Sequence, residues 1–188
     1  AMDTNFVNAL RAVHSEVCEQ GAAAIVISGR PGMFSGGLDV PALIELERAE
    51  MLEFWVAFMD LMQAIASSPV PVIAAVTGHS PAGGAGLALH CDYRVAAAGE
   101  FKIGLNEVQV GLPVPSTIGH VLASLVGPHK AQEMTMQGKL VSPAEALTGG
   151  MVDELHEPDA VIPAAVAFAQ RLTQLPPIAM NKTRLQAK

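Results

Sequence analysis

Residues Val76-Thr77-Gly78-His79-Ser80-Pro81-Ala82-Gly83-Gly84-Ala85-Gly86 leave an apolar run, turn on glycines and enter a short helix. A strand-to-helix turn of this kind serves three chemistries. Dinucleotide binding needs G-x-G-x-x-G directly after the strand, so that the backbone can approach a pyrophosphate. Gly84 and Gly86 fit its first two places, but Leu89 stands at the third, and four residues separate Gly78 from the next glycine. A serine-hydrolase elbow is approached by Gly78-His79-Ser80-Pro81-Ala82. There the residue after the nucleophile must donate its backbone N–H to the oxyanion, and that residue is Pro81, which has none. Asp153 and His156, the acid and base that follow, lie only three apart.

The third chemistry is an oxyanion hole made of backbone amides. Glycine lets a carbonyl oxygen approach the main chain closely. The first N–H groups of a helix lack internal partners and sit at the positive end of its dipole. A helix start at Gly83-Gly84 would stabilise negative charge growing on a carbonyl oxygen without any charged side chain. A turn whose glycines only permit tight packing also accounts for the segment. A second glycine loop, Phe34-Ser35-Gly36-Gly37-Leu38-Asp39, follows the run Ile25-Val26-Ile27 as the central loop follows Val72 to Thr77. If those runs are parallel neighbours, both loops emerge at one carboxyl edge, and two amides can converge on one oxygen.

The elements that must hold these loops are legible as periodicities. Phe6, Leu10, Val13 and Val17 fall at helical spacing, so Thr4 to Gln20 reads as a helix ended by Gly21. Ala22 to Ser28 and Val72 to Thr77 read as buried strands. Gly29 to Gly32 is a turn, and Met33 to Asp39 an irregular loop. Pro41 to Ser67 is helical in two pieces, stopped by Pro69 and Pro71. Gly78 to Gly86 reads as a loop running into a helix from Ala85 to His90. Asp92 to Ala97, Glu100 to Ile103 and Met151 to Leu155 read as short strands. Pro115 to Val126, Pro128 to Gln137 and Pro158 to Leu175 read as helices, and Ser142-Pro143 as a capped helix start. Strand–helix alternation without repeats or linkers indicates one α/β domain over residues 1–188.

Bulk properties narrow the class. Of the 188 residues 51% are hydrophobic and 15% charged, too apolar a chain for disorder. The apolar runs are short and broken, which argues against a membrane span, and their excess points to a pocket or subunit interface. A net charge of −7 does not favour nucleic acid. Cys18 and Cys91 lack CxxC spacing, and the sequence carries neither a visible signal peptide nor a peroxisomal ending, so a reducing, cytoplasmic location is expected. His14, His120, His129 and His156 show no ligand spacing, so no metal site is expected.

Met33 to Asp39, then Pro71-Val72-Ile73-Ala74-Ala75-Val76-Thr77-Gly78, Pro81-Ala82-Gly83-Gly84 and His90-Cys91-Asp92-Tyr93-Arg94 together resemble the crotonase superfamily. Ile103-Gly104-Leu105-Asn106-Glu107-Val108-Gln109-Val110-Gly111 is similar to its isomerase branch, the delta-3,delta-2-enoyl-CoA isomerases. Ser142 to Leu147 and Gly150 to Asp153 also match, so the resemblance runs along essentially the whole chain. It implies a crotonase-like (ClpP/crotonase) spiral of ββα units with C-terminal helices that build homotrimers or dimers of trimers. It also implies strands before Ala1 and a longer close after Lys188. The implied substrate is an acyl-CoA of fatty acid β-oxidation, with no separate cofactor, since coenzyme A is part of the substrate.

By the same resemblance, Gly36 and Gly83 supply the amide donors and Glu107 is the catalytic acid/base. Phe34, Ser35 and Leu38 fall at substrate-binding positions. Leu112 and Pro113 follow Glu107 and line the acyl pocket or simply pack. The hydratases' other glutamate would fall at Gly86, which has no side chain. A 1,3 proton shift needs only one base, which takes a proton from C2 and returns it at C4. The expected activity is therefore conversion of 3-enoyl-CoA to the 2-trans isomer. A hydratase and a catalytically silent CoA-binding protein are the rivals. Asp39 is expected to cap a helix, His79 to be structural, and Arg30 and Lys102 to be solvated charges rather than contacts for CoA phosphates.

Overall fold

The structure, a computed structural model, describes residues 1–187. The chain lays one strand in a large sheet, the next in a small sheet, then a helix, and repeats the pattern. In order the elements are α1 (Thr4–Glu19), β1 (Ile25–Ser28), β2 (Gly32–Met33), α2 (Val40–Leu43) and α3 (Arg48–Ala66). Then come β3 (Val72–Val76), β4 (Gly78–Pro81), α4 (Gly83–His90), β5 (Tyr93–Ala97), β6 (Ile103–Gly104) and a 3-10 turn (Glu107–Val110). The chain continues through α5 (Ser116–Val126), α6 (Pro128–Gln137), α7 (Pro143–Thr148), β7 (Glu154–His156), α8 (Val161–Thr173) and α9 (Pro177–Gln186). The large sheet has the order β1-β3-β5-β7 and the small one β2-β4-β6, and every pairing is parallel.

The large sheet forms around β3, which is apolar on both faces. All five residues of β3 are buried, the pattern of a strand covered on both sides. Side chains alternate across a strand, and β3 divides accordingly. Val72, Ala74 and Val76 join the main core with Phe54, Phe58 and Leu61 of α3, while Ile73 and Ala75 join a smaller core with Val161 and Ala165 of α8. At the far end, Arg184 of α9 donates to both carboxylate oxygens of Asp92 at 3.2 Å and to the Ser68 carbonyl at 2.6 Å.

The small sheet differs from the sequence expectation. Gly32–Met33 and Gly78–Pro81 are strands, where loops were expected, and α4 begins at Gly83 rather than Ala85. The strand expected at Glu100 to Ile103 is Ile103–Gly104. Gly-His-Ser-Pro has little strand propensity of its own; β4 is a strand because it is paired on both sides. Gly78 permits this, since a Cβ there would overlap the Gly32 carbonyl. The last expected helix is a 3-10 turn, Pro158–Ala160, followed by α8, and α9 starts at Pro177, where proline suits a first helical position. Among the described residues no helix is long and apolar enough to cross a membrane.

Candidate active site

Three loops leave the carboxyl edge of the small sheet: Phe34 to Asp39 after β2, Ala82 after β4, and Leu105 to Glu107 after β6. In an open parallel sheet this edge is where ligands bind. The runs Ile25 to Ser28 and Val72 to Val76 are parallel neighbours, as the loop argument required, but it is the smaller sheet that carries the loops. The Phe34 and Ser35 amides both donate to the His79 carbonyl, at 2.9 and 3.3 Å, and the Ala82 amide donates to the Gly104 carbonyl at 2.8 Å.

The first loop is pressed against the second. Gly37 has φ +79°, and a Cβ on it would stand 3.0 Å from the Pro81 carbonyl oxygen. The Ser35 hydroxyl accepts from the Gly37 amide at 3.2 Å. Met2, fully buried, donates to the Gly37 carbonyl at 2.8 Å and accepts from the Asp39 amide at 3.0 Å. Leu38 lies over Gly83, its Cδ2 3.3 Å from where a Cβ would be. Among the described residues the Gly36 and Gly83 amides donate to no acceptor, and the first bond of α4 runs from the Gly86 amide to the Ala82 carbonyl at 2.9 Å. The Gly83 amide, at the start of α4, is placed to attract an anionic oxygen.

Glu107 opens the 3-10 turn, three residues after the Gly104 that holds Ala82. Gly111, in the left-handed conformation, closes the turn with its amide on the Glu107 and Val108 carbonyls, and Gln109 ties it to the Gly138 carbonyl at 2.9 Å. Glu107 is 6% exposed. Its Oε2 is buried with no hydrogen-bond partner, as is Asn106 Oδ1. Burial pushes its carboxyl up from the ordinary glutamate value, opposed in part by its own backbone amide. An isolated buried carboxylate disfavours its charged form and is poised to take up a proton.

The sequence model of the enoyl-CoA hydratase/isomerase family matches residues 1–187. The chain belongs to the enoyl-CoA hydratase/isomerase family. Mitochondrial enoyl-CoA delta isomerase 1 of Rattus norvegicus is 38% identical over 160 residues, which cover 84% of this chain and 54% of that protein. A putative enoyl-CoA hydratase of Thermus thermophilus is 32% identical over 178 residues, covering 93% of this chain and 70% of that one. The chain thus spans about half the length of the isomerase relative. The crystal structure of human mitochondrial delta3-delta2-enoyl-CoA isomerase superposes with a TM-score of 0.93 at 31% identity, over 100% of this chain and 74% of that one. The fold is the α/β crotonase-like fold, repeated ββα units followed by C-terminal helices.

Within this crotonase-like frame Gly36, Gly83 and Glu107 come to loops on one sheet edge. The positions expected to bind substrate diverge. Phe34 is packed in the core, Ser35 holds its own loop, and Leu38 lies over Gly83. Leu112 is half-buried with its amide on the Glu107 carbonyl at 3.1 Å, and Pro113 is exposed. Asp39 caps α2 by accepting from the Ala42 amide. His79 accepts from the Lys102 amide at 3.1 Å and packs edge-on against Phe101. Arg30 and Lys102 are exposed. Ile118 of α5 occupies the space beside Gly86, with Cδ1 3.1 Å from a Cβ built there. Sequence reasoning missed Met2, Ala82 and Ile118; only Ile118 left a signal, as an apolar position on a helix. A cavity of about 620 Å³ lies at the other end of α4 between α3, α5 and α9, and none of the three loops lines it. No group of three or more His, Cys, Asp or Glu among the described residues is placed to hold a metal ion.

Proposed function

We propose that the protein isomerises 3-enoyl-CoA thioesters to the 2-trans form. The Glu107 carboxylate removes a proton from C2, and the electron pair delocalises onto the thioester oxygen as a dienolate. The Gly36 and Gly83 amides stabilise that oxygen. The dienolate then takes the proton back from Glu107 at C4, leaving a double bond between C2 and C3. The observation that carries this reading is Glu107 itself, a buried carboxylate with one unpartnered oxygen. The site offers no second acid at Gly86, where Ile118 fills the space. The likeness to delta isomerases supports the same choice.

The Thermus relative carries a hydratase name, so the deciding assay offers both substrates. Purified protein is given 3-enoyl-CoA and, separately, 2-enoyl-CoA, and the products are resolved. Isomer from the first with little hydration of the second supports the reading; hydration at a comparable rate overturns it. A homotrimer or dimer of trimers belongs to the same proposal. Exposed Ile162 and Val166 on α8 and Ile178 and Leu185 on α9 support burial against other copies, and light scattering gives the mass.

A further inference from the structure

We infer that Ala82 is a positioning residue whose left-handed backbone aims the Gly83 donor. The inference rests on the oxyanion reading of Gly83 and extends it to a residue that touches no substrate. Ala82 has φ 47° and ψ −121°, and it is the one non-glycine residue with positive φ among those described. That region suits glycine and disfavours any residue with a Cβ. The surrounding loops are rich in glycine, at positions 36, 37, 83, 84 and 86, yet alanine stands where glycine would relieve the conformation.

Three contacts hold it there. Its amide donates to the Gly104 carbonyl of β6 at 2.8 Å. Its carbonyl accepts the first bond of α4, from the Gly86 amide at 2.9 Å. Its methyl lies against the first donor loop, 3.3 Å from a Cβ built on Gly37. The peptide joining Ala82 to Gly83 is planar and trans, so its N–H points opposite to its C=O. With that carbonyl turned into the helix, the Gly83 N–H must point out of the helix start. Alanine also narrows the backbone states open to this peptide, whereas glycine would let it rotate. The methyl therefore fixes the direction of a donor that another residue supplies.

The test is Ala82→Gly, which keeps every amide and removes only the methyl. Its readouts are the unfolding midpoint, kcat and KM on the enoyl-CoA the wild type turns over, and the carbonyl stretch of bound butyryl-CoA labelled with 13C at the thioester carbon. This saturated thioester is inert to isomerisation and hydration alike. In the wild type its stretch moves to lower frequency; without that shift the oxyanion reading itself fails. In Ala82→Gly the midpoint holds or rises, KM stays within about twofold, and kcat falls about ten- to a hundredfold, the scale of a slightly misdirected catalytic group. The carbonyl shift shrinks with it. Ala82→Ser, which keeps the Cβ, recovers most of the shift lost in Ala82→Gly. If Ala82→Gly shows the full wild-type shift and kcat, Ala82 positions nothing and the inference is overturned with the oxyanion reading intact.

Discussion

The two sheets are built from the same chain turns but to different ends. The large sheet is centred on β3, which is apolar on both faces and buried between α3 and α8, with β1 and β7 half-buried at its edges. The small sheet is short, and its strands contain Gly32, Gly78, His79, Ser80, Pro81 and Gly104. Among the described residues four buried side-chain polar atoms lack a partner, and three belong to it or the turn beyond it: Ser80 Oγ, Asn106 Oδ1 and Glu107 Oε2. The left-handed Ala82 and the unpaired Gly36 and Gly83 amides lie at its edge as well. Unsatisfied buried groups and backbone strain each lower stability, so the large sheet stabilises what the small one displays. Packing and chemistry are separated in space, and substitutions should separate them too.

The largest expected effect is at Glu107. Glu107→Gln keeps the shape and removes the proposed base, so turnover of 3-enoyl-CoA should fall by roughly two to four orders of magnitude. Binding of a CoA thioester, measured by calorimetry, should change little. Near-full activity in the mutant would move the acid/base role to another residue. At the neighbouring loop, Gly83→Pro deletes the donor N–H and Gly83→Ala keeps it. Loss of one oxyanion donor should lower kcat about a hundred- to a thousandfold, with alanine the milder change despite the Leu38 contact. If two folded variants are equally impaired, only the loop's shape matters. On the large sheet the pattern should invert. Ile73→Ala, at a fully buried position, should destabilise by about 2–5 kcal/mol in denaturant titration. Turnover per folded molecule should stay at the wild-type level, and a loss there would break the division between the sheets.

The same division governs what could be read from the sequence. β3 was legible to within a residue because a strand buried on both faces is a continuous apolar run. The β4 strand was not, because Gly78 to Pro81 take their conformation from β2 and β6, and pairing partners leave no local mark. The glycines of the two loops stood out in the sequence because they spare the backbone a Cβ. Ala82 could not, since a left-handed alanine is spelled like any other alanine. Glu107 was singled out through resemblance; its burial without a partner for Oε2 is a tertiary fact, set by what β6 and its turn bury around it. Ile118 was visible as a helical apolar residue, but its place beside Gly86 depends on how α5 packs on α4.

The smallest expected effect tests the cost of burying Glu107 directly. Burial raises the Glu107 carboxyl above the ordinary glutamate value, so the folded protein holds this proton more tightly than the unfolded chain. Stability then falls as pH rises from the ordinary value through the raised one, because the folded state must give up a proton it favours. Below that window both states are protonated and the penalty vanishes. Glu107→Gln has no such penalty at any pH. The stability of the mutant minus that of the wild type should therefore be small in acid, grow across the window and level off above it. Glu145, held below the ordinary range by the Ser142 amide, and Glu154, held low by the His156 ring, titrate in both proteins and cancel in the difference. Catalysis runs the other way, since the base must be ionised to accept a proton. Wild-type activity should rise over the same pH window in which the stability difference grows. Denaturant midpoints of both proteins across pH, beside a pH–rate profile of the wild type, give the two curves. Parallel midpoint curves would mean that Glu107 titrates like an exposed residue, and the contrast between a packing sheet and a strained one would lose its central residue.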